Sequence, residues 1–499
     1  MAEHLPPPLS RKPADAESRS KARSILIIAV VALMTEIVAF EFTLVAPGLP
    51  EMAAAFRTQQ IALVMTTPLL VAGVTVPIVG KIADVYGKKK VLLATGAAFL
   101  LGTVLCAIAS AFPLFLVGRG LQGLGLVSPV ICYGLVRDLI PAKWVPLGIG
   151  GIGVGIGASS LIGPLLGGWM IDHHGYRGAL WVLFVYSVVI VAAIAICVPE
   201  TTVRIAHRID YFGAALLGIG ATALIAGGIR PDLRALAFPL GIVLLVAFVL
   251  VERRIAQPLI SMSLLARPGV WMTLLLGAAY GVYNGANAAL LPQYLRLPAI
   301  PGDPDSGLGM TATQYSLYYG LSSGVVAAAC GILGGWAARR FAPRTVGLVA
   351  MVAAVIAGLL IGLDLIGSFG MVIVYGVAFG VGNGLYYVST TNLLIEAVPA
   401  NTQAVSSSMK FTAEQVVGAL SSAYLGVLIG SYVLMVNPKT GQPIPSAQGF
   451  RYAYLICAVA AAIGVVVLLL MRHGRTPATG GVVSGQGDED PRPETAAVC

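Results

Sequence analysis

Apolar stretches of about twenty residues alternate with short polar breaks along almost the whole chain. Each stretch is long enough, at 1.5 Å per residue, for a helix to cross a hydrocarbon core of about 30 Å. Fourteen of them begin near residues 24, 59, 91, 112, 147, 179, 210, 236, 269, 313, 345, 369, 403 and 451, the pair near 210 and 236 being the least distinct. The ends read differently. Residues 1–23, with Pro6-Pro7-Pro8, Arg11 and Lys12, and residues 476–499, with Gly480, Gly481, Asp488, Glu489 and Asp490, are polar and have no apolar face to bury, so disordered tails are expected there. The first apolar stretch is of span length and no small-residue cleavage site follows it, which predicts a retained helix rather than a signal peptide. Cys499 is the last residue rather than the fourth from the end, which excludes prenylation.

Composition turns this pattern into a membrane assignment. Hydrophobic residues make up 57% of the 499 and charged ones only 11%, with mean hydropathy +0.88, whereas soluble domains carry roughly 25% charged residues. The formal charge of +9 raises nucleic acid or anionic lipid as partners, so the placement of the positive residues decides. With the N-terminus inside, 23 of the 31 Lys and Arg fall on the cytoplasmic side, seven outside and Arg119 within a span. That bias supports an even number of spans with both ends in the cytoplasm, and leaves no basic soluble module for nucleic acid. Cys106, Cys132, Cys197, Cys330, Cys457 and Cys499 show no metal-ligand spacing, and five of them sit in apolar stretches as small buried hydrophobes.

The expected organisation is a six-helix bundle over 24–200, two inserted helices with flanking loops over 201–267, and a second six-helix bundle over 268–475. The segment Gly335-Trp336-Ala337-Ala338-Arg339-Arg340-Phe341-Ala342-Pro343-Arg344, after the second helix of the later half, echoes Gly80-Lys81-Ile82-Ala83-Asp84-Val85-Tyr86-Gly87-Lys88-Lys89-Lys90 in the first, with Arg339 at the place of Asp84. Parallel repeats of this kind carry substrate near the midplane between them.

Ionisable groups inside the bilayer cost on the order of 2.5–3.5 kcal/mol on insertion scales, so they are functional candidates. The first span holds Glu36 and Glu41, whose five-residue separation turns them roughly 140° apart, so they cannot share one narrow face. Arg119 is read as the one basic residue within a span, requiring a wet cavity or a carboxylate such as Glu41 or Glu36. The fifth span is glycine-dense from Gly148 to Gly168, and its Gly163-Pro164-Leu165-Leu166-Gly167-Gly168 lets helices approach closely while Pro164 bends the rod. Gly148 to Gly153 also fits GxGxxG, but no strand precedes it, so dinucleotide binding is rejected. In the later half, Tyr280, Tyr283, Asn284 and Asn287 share a helix face, as do Tyr315, Tyr318 and Tyr319, and Phe379, Asn383, Tyr386 and Thr390. These stripes, with Gln122, are the expected cavity lining. Lys410 and Glu414 stand one turn apart, near the start of the thirteenth span, and can pair along the helix. His173-His174 reads as an exposed loop pair.

The Gly80–Lys90 hairpin resembles the helix 2–3 signature of the major facilitator superfamily, with Val85 at a usually basic position. Glu41 to Pro50 resembles the first-helix motif of the fourteen-helix drug:proton antiporters, with Glu41 in place of Asp. Arg119-Gly120-Leu121-Gln122-Gly123-Leu124-Gly125 is similar to the superfamily's fourth-helix motif, and Gly150, Gly163, Pro164 and Gly167 to its antiporter motif, with Ser159 at an expected glycine. The resemblance implies an all-α major facilitator fold and proton coupling through Glu41, Glu36 and Arg119. It also implies conformational gating through Gly80, Asp84, Gly87, Lys88, Gly163, Pro164 and Gly167. Asp84 is expected to dock on a helix N-terminus of the opposite half when the cytoplasmic side is closed. The expectation is a proton-coupled exporter of a lipophilic or amphipathic small molecule in the plasma membrane, acting as a monomer without metal or cofactor. No GxxxxGK[ST] motif implies ATP. An uptake symporter on the same scaffold, and a membrane-embedded enzyme or sensor, are the alternatives.

Overall fold

The computed structural model describes residues 21–141, 145–202, 204, 209–255, 258–300, 306–399, 402–436 and 443–477, with the side chains of 21, 22, 146–161, 339 and 404 set aside. The expected tails lie almost wholly outside the described residues, although helix already begins at Lys21. In chain order the helices are α1 (Lys21–Val45), α2 (Leu49–Phe56), α3 (Leu63–Tyr86), α4 (Lys88–Ile108), α5 (Phe112–Gly125), α6 (Ser128–Leu139), α7 (Val145–Cys197), α8 (Tyr211–Ile229) and α9 (Arg234–Glu252). The later part holds α10 (Met262–Leu265), α11 (Pro268–Leu295), α12 (Ala312–Tyr315), α13 (Ser322–Phe341), α14 (Pro343–Gly362), α15 (Phe369–Ala397), α16 (Gln403–Gly430) and α17 (Ala447–Leu470). A two-stranded antiparallel ribbon, β1 (Val433–Val436) and β2 (Pro443–Pro445), joins the last two helices.

Twelve described stretches are long and apolar enough to cross a membrane by length and composition. One of them, Ile162–Cys197, belongs to two rods, because Gly175 at φ 70° and ψ 174° breaks α7. The 28 residues of α11 supply another rod of span length, so fourteen stand where the apolar pattern places them. Their outer faces expose large apolar side chains such as Leu236, Val243, Ile332 and Leu470, as lipid requires. The chain is an all-α polytopic membrane protein.

Glycine and proline set the tight corners. Gly87, at φ 117° and ψ 131°, makes the turn between α3 and α4, and Glu200 caps the new helix by accepting from the Lys89 and Lys90 amides at 3.1 and 3.0 Å. Ala342 holds φ 78° and ψ 143° between α13 and α14, so the backbone of the sequence echo repeats Gly87's turn without its glycine. Pro343 follows at the first helical position, where its missing N–H leaves no bond unmade.

Two seams join the early helices to the late ones. Along α3 and α16, Thr66 and Ser422 hydroxyls meet at 2.6 Å, and Thr412 donates to the Gly73 carbonyl at 2.8 Å. Along α7 and the α12–α13 rod, Asp172 accepts from the Ala312 and Thr313 amides at 3.0 and 2.8 Å, and Pro164 packs on Gly320. A clasp closes the same end: Arg296, just past α11, forks onto Glu51 of α2 at 2.8 and 2.5 Å and also donates to the Pro47 and Met310 carbonyls. The inserted α8 and α9 pack on each other, and α8 also lies on α3 and α16, where the Tyr424 hydroxyl reaches the Leu224 carbonyl at 2.8 Å.

Candidate functional site

The first buried pair comes from α1 and α5. Arg119 Nη1 stands 2.5 Å from Glu41 Oε1, and both side chains are wholly buried. The same guanidinium donates from Nε to the Val64 carbonyl at 2.7 Å and from Nη1 to Gln122 Oε1 at 2.7 Å, with Nη2 3.8 Å from the Met65 sulfur. Gln122 in turn donates to Thr103 at 2.9 Å. Arg119 therefore ties Glu41 to the first turn of α3, at Val64, two residues before the Thr66–Ser422 contact. Separating such a pair by removing one partner costs about 3–5 kcal/mol, because the other charge is left uncompensated in a medium that cannot solvate it.

Glu36 is also buried, but its side of α1 faces Tyr186 of α7. The five-residue offset separates the two carboxylates as helix geometry requires. Neither lines the central cavity. The α1 face that does so carries Thr35, Ala39, Phe42, Thr43 and Ala46, a spacing invisible to a search for charges.

That cavity, of about 410 Å³, lies between the early and the late helices. Asn284 and Asn287 of α11 and Asn383 of α15 line it, as the polar-aromatic stripes predict. Gln122, Tyr280, Tyr283 and Tyr386 do not; the structure corrects their placement, because each is wholly packed among neighbouring helices behind the lining residues. Gln122 serves Arg119. The Tyr280 ring stacks on Tyr386 with centroids 3.7 Å apart, its hydroxyl donating to Asn383 at 2.8 Å. Tyr283 meets the Tyr375 hydroxyl at 3.2 Å, and Asn287 gathers Tyr375, Tyr454 and Tyr319 at 2.5, 3.3 and 2.7 Å. A single π-helical segment, Ser316–Leu321, carries Tyr319 to the cavity wall.

A second charged pair sits on α16. Glu414 lines the cavity, accepting from the Tyr386 and Tyr387 hydroxyls at 3.1 and 2.8 Å, with Lys410 Nζ 3.8 Å away. Lys410 is buried, so Arg119 is not the one cation inside a span. Its position near a helix start made it look like a cytoplasmic charge, and only the burial of that turn of α16 removes it from water.

The gating candidates divide. Gly167 lies under the Thr43 carbonyl and Leu44 Cα, 2.9 and 3.0 Å from where its Cβ would be, and Gly163 faces Thr43, so both allow α1 and α7 to touch. Pro164 reaches both the cavity and Gly320. Gly80 has only Val130 within reach of a Cβ, at 4.0 Å, and so sits in no close approach. Lys88, expected as a loop charge, is buried between Asp84 and Asp138 at 2.9 and 2.8 Å. Asp84 thus pairs within its own hairpin in this structure. His173 rests on Trp169, stacked at 4.9 Å.

The Major Facilitator Superfamily family model matches residues 31–422 and 273–495. The chain belongs to the Major Facilitator Superfamily. This facilitator is 27% identical over 385 residues to the tetracenomycin C resistance and export protein of Streptomyces glaucescens, spanning 74% of this chain and 69% of that protein. It is 30% identical over 259 residues to a multidrug resistance protein B homolog of Mycobacterium tuberculosis, covering 47% of this chain and 46% of that one. An uncharacterized MFS-type transporter of the same organism is 32% identical over 185 residues, which is 37% of this chain and only 27% of that relative's length. Among solved structures, a bacterial homolog of the human lysosomal transporter Spinster, inward-facing and unoccupied, superposes with TM-score 0.65 at 15% identity over 91% of this chain and 97% of that one, a likeness of fold alone. The facilitator is a multi-pass membrane protein of this superfamily.

Proposed function

We propose that this facilitator is a proton-coupled exporter of lipophilic or amphipathic small molecules, of the fourteen-helix drug:proton antiporter group, working by alternating access as a monomer in the plasma membrane with both ends in the cytoplasm. The buried Glu41–Arg119 pair carries the proposal, because its guanidinium also holds the α3 backbone beside the seam with α16. A proton arriving from outside neutralises Glu41 and leaves Arg119 without its counter-charge. The guanidinium then redistributes among Gln122, the Val64 carbonyl and water, which alters the hold on α3 and thus the contact between the halves. By linkage, closing that contact must change the proton affinity of the pair in return.

The Arg296–Glu51 clasp and the Asp172 cap support an inward-facing resting state, since both tie the halves at the end opposite the lysine hairpin. Asp84 paired with Lys88 fits the same state, with its contact to the opposite half expected only once the cytoplasmic end closes. Glu36, on the α7 side of α1, is assigned a secondary proton site. The kinship with an export protein and a multidrug resistance homolog favours export over uptake.

The test is transport in proteoliposomes under an imposed pH gradient, with a panel of aromatic drugs and dyes. Proton movement opposite to substrate movement is expected for the wild type and is lost in Glu41→Gln. Movement of both in the same direction would replace export by uptake, and full coupling in both Glu41→Gln and Glu36→Gln would remove the proton assignment.

A further inference from the structure

Glu414 is the one charged side chain among the described residues that line the central cavity. Its surroundings are those of a cation site. The carboxylate is almost wholly buried, and its two oxygens are held by the Tyr386 and Tyr387 hydroxyls at 3.1 and 2.8 Å. Lys410, one turn earlier on α16, places its ammonium 5.3 and 5.2 Å from the centroids of those same two rings. It gives its hydrogen bond to Thr390 at 3.2 Å and stays 3.8 Å from Glu414, beyond the 2.7–2.9 Å of a strong charge-assisted bond. Two tyrosine faces, a carboxylate and a hydroxyl thus enclose the end of a side chain that does not itself line the cavity. Phenol donors hold the carboxylate in place without neutralising it, and a cation over tyrosine faces is attracted by their quadrupoles.

We propose that this box is the substrate's counter-charge, that the cavity takes amphipathic monocations, and that Lys410 is a tethered cation occupying the box until a substrate cation competes for Glu414 from the cavity side. Phe42, Phe379 and Phe411 give the apolar body of such a molecule aromatic walls. Lys410 also explains how an empty transporter keeps a buried carboxylate: the internal cation satisfies it when no substrate does. The proposal names the substrate class within the export reading above, and rests on that reading only for the direction of transport.

Equilibrium binding to the purified full chain in nanodiscs, with no proton gradient, tests it. The probes are tetraphenylphosphonium and tetraphenylborate, close in shape and opposite in charge. The wild type is expected to bind the phosphonium at least tenfold more tightly than the borate, and Glu414→Gln to lose that preference. Lys410→Met, which removes the competitor and keeps the volume, is expected to tighten phosphonium binding several-fold. A wild-type preference retained in Glu414→Gln, or phosphonium binding weakened by Lys410→Met, would overturn the proposal. If Glu414→Gln fails to fold, as judged by size-exclusion profile and melting, the Lys410→Met result decides alone. Intact phosphonium preference in a protein that shows no proton-driven export would instead count against the export reading and leave this site standing.

Discussion

Replacing Glu51 by glutamine keeps the length and shape of the side chain and removes its charge, and so isolates the clasp between α2 and the end of α11. Arg296 is nearly buried, with its side chain 9% exposed, and forks onto a Glu51 side chain that is 34% exposed. Two charge-assisted bonds in a fully buried setting contribute about 1.5–3 kcal/mol each, whereas exposed ion pairs contribute about 0.2–1 kcal/mol. The exposure of Glu51 places the pair between these limits, at about 1.5–2 kcal/mol in total, since Arg296 keeps its bonds to the Pro47 and Met310 carbonyls in the variant. If the clasp forms only when this end is closed, its loss shifts the balance between closed and open ends by about 10–30-fold. Spin labels at Ala55, after α2's first turn, and Ala299, beyond α11, in a background lacking the six native cysteines, report that balance by electron double resonance. The wild type should populate the short distance, and Glu51→Gln a substantial long-distance fraction. Arg296→Met should have the larger effect, and adding it to Glu51→Gln should cost less than it does alone. Identical distance distributions in wild type and Glu51→Gln, with melting temperatures also unchanged, would refute the clasp as a gate.

Other outcomes follow from packing and titration. Gly167→Val forces a side chain into the Thr43 carbonyl and Leu44, so α1 and α7 must separate; a loss of about 1–3 kcal/mol, read as a lower melting temperature, is expected, whereas Gly80→Ala should be nearly silent. Asn287→Leu leaves the Tyr319, Tyr375 and Tyr454 hydroxyls to find new partners, at about 1–3 kcal/mol for each that stays unsatisfied, and should lower thermal stability more than Asn284→Leu does. Burial holds His473, past the end of α17, below its ordinary pKa of 6.5. The unfolded chain then binds the extra proton first, so stability present above about pH 6.5 declines as pH falls through that value, and a melting curve series should show His473→Gln flattening the decline.

Much of the architecture was legible before any coordinates, because lipid imposes a length and a polarity on every crossing helix and these are written locally. Fourteen apolar stretches, the Gly87 turn and the need of Arg119 for a carboxylate are of this kind. The echo at 335–344 was legible as well, although that Ala342 would take Gly87's backbone conformation was not, since alanine gives no sign of a positive φ. Distances across the bundle were not written locally at all. Which of two acids would meet Arg119 depended on where α5 crosses α1, and the sequence offered only that Glu36 and Glu41 point apart.

The sequence by itself determined a membrane-spanning helical transporter of this superfamily and the residues that hydrocarbon cannot leave alone. Tertiary structure decided which of them face the cavity. It turned Tyr280, Tyr283, Tyr386 and Gln122 toward neighbours, buried Lys88 and Lys410, and brought Glu414 to the central space with two tyrosines around it. The reason is that helix period fixes which residues share a face, while the contact that face makes is fixed only when thirteen other rods have found their places.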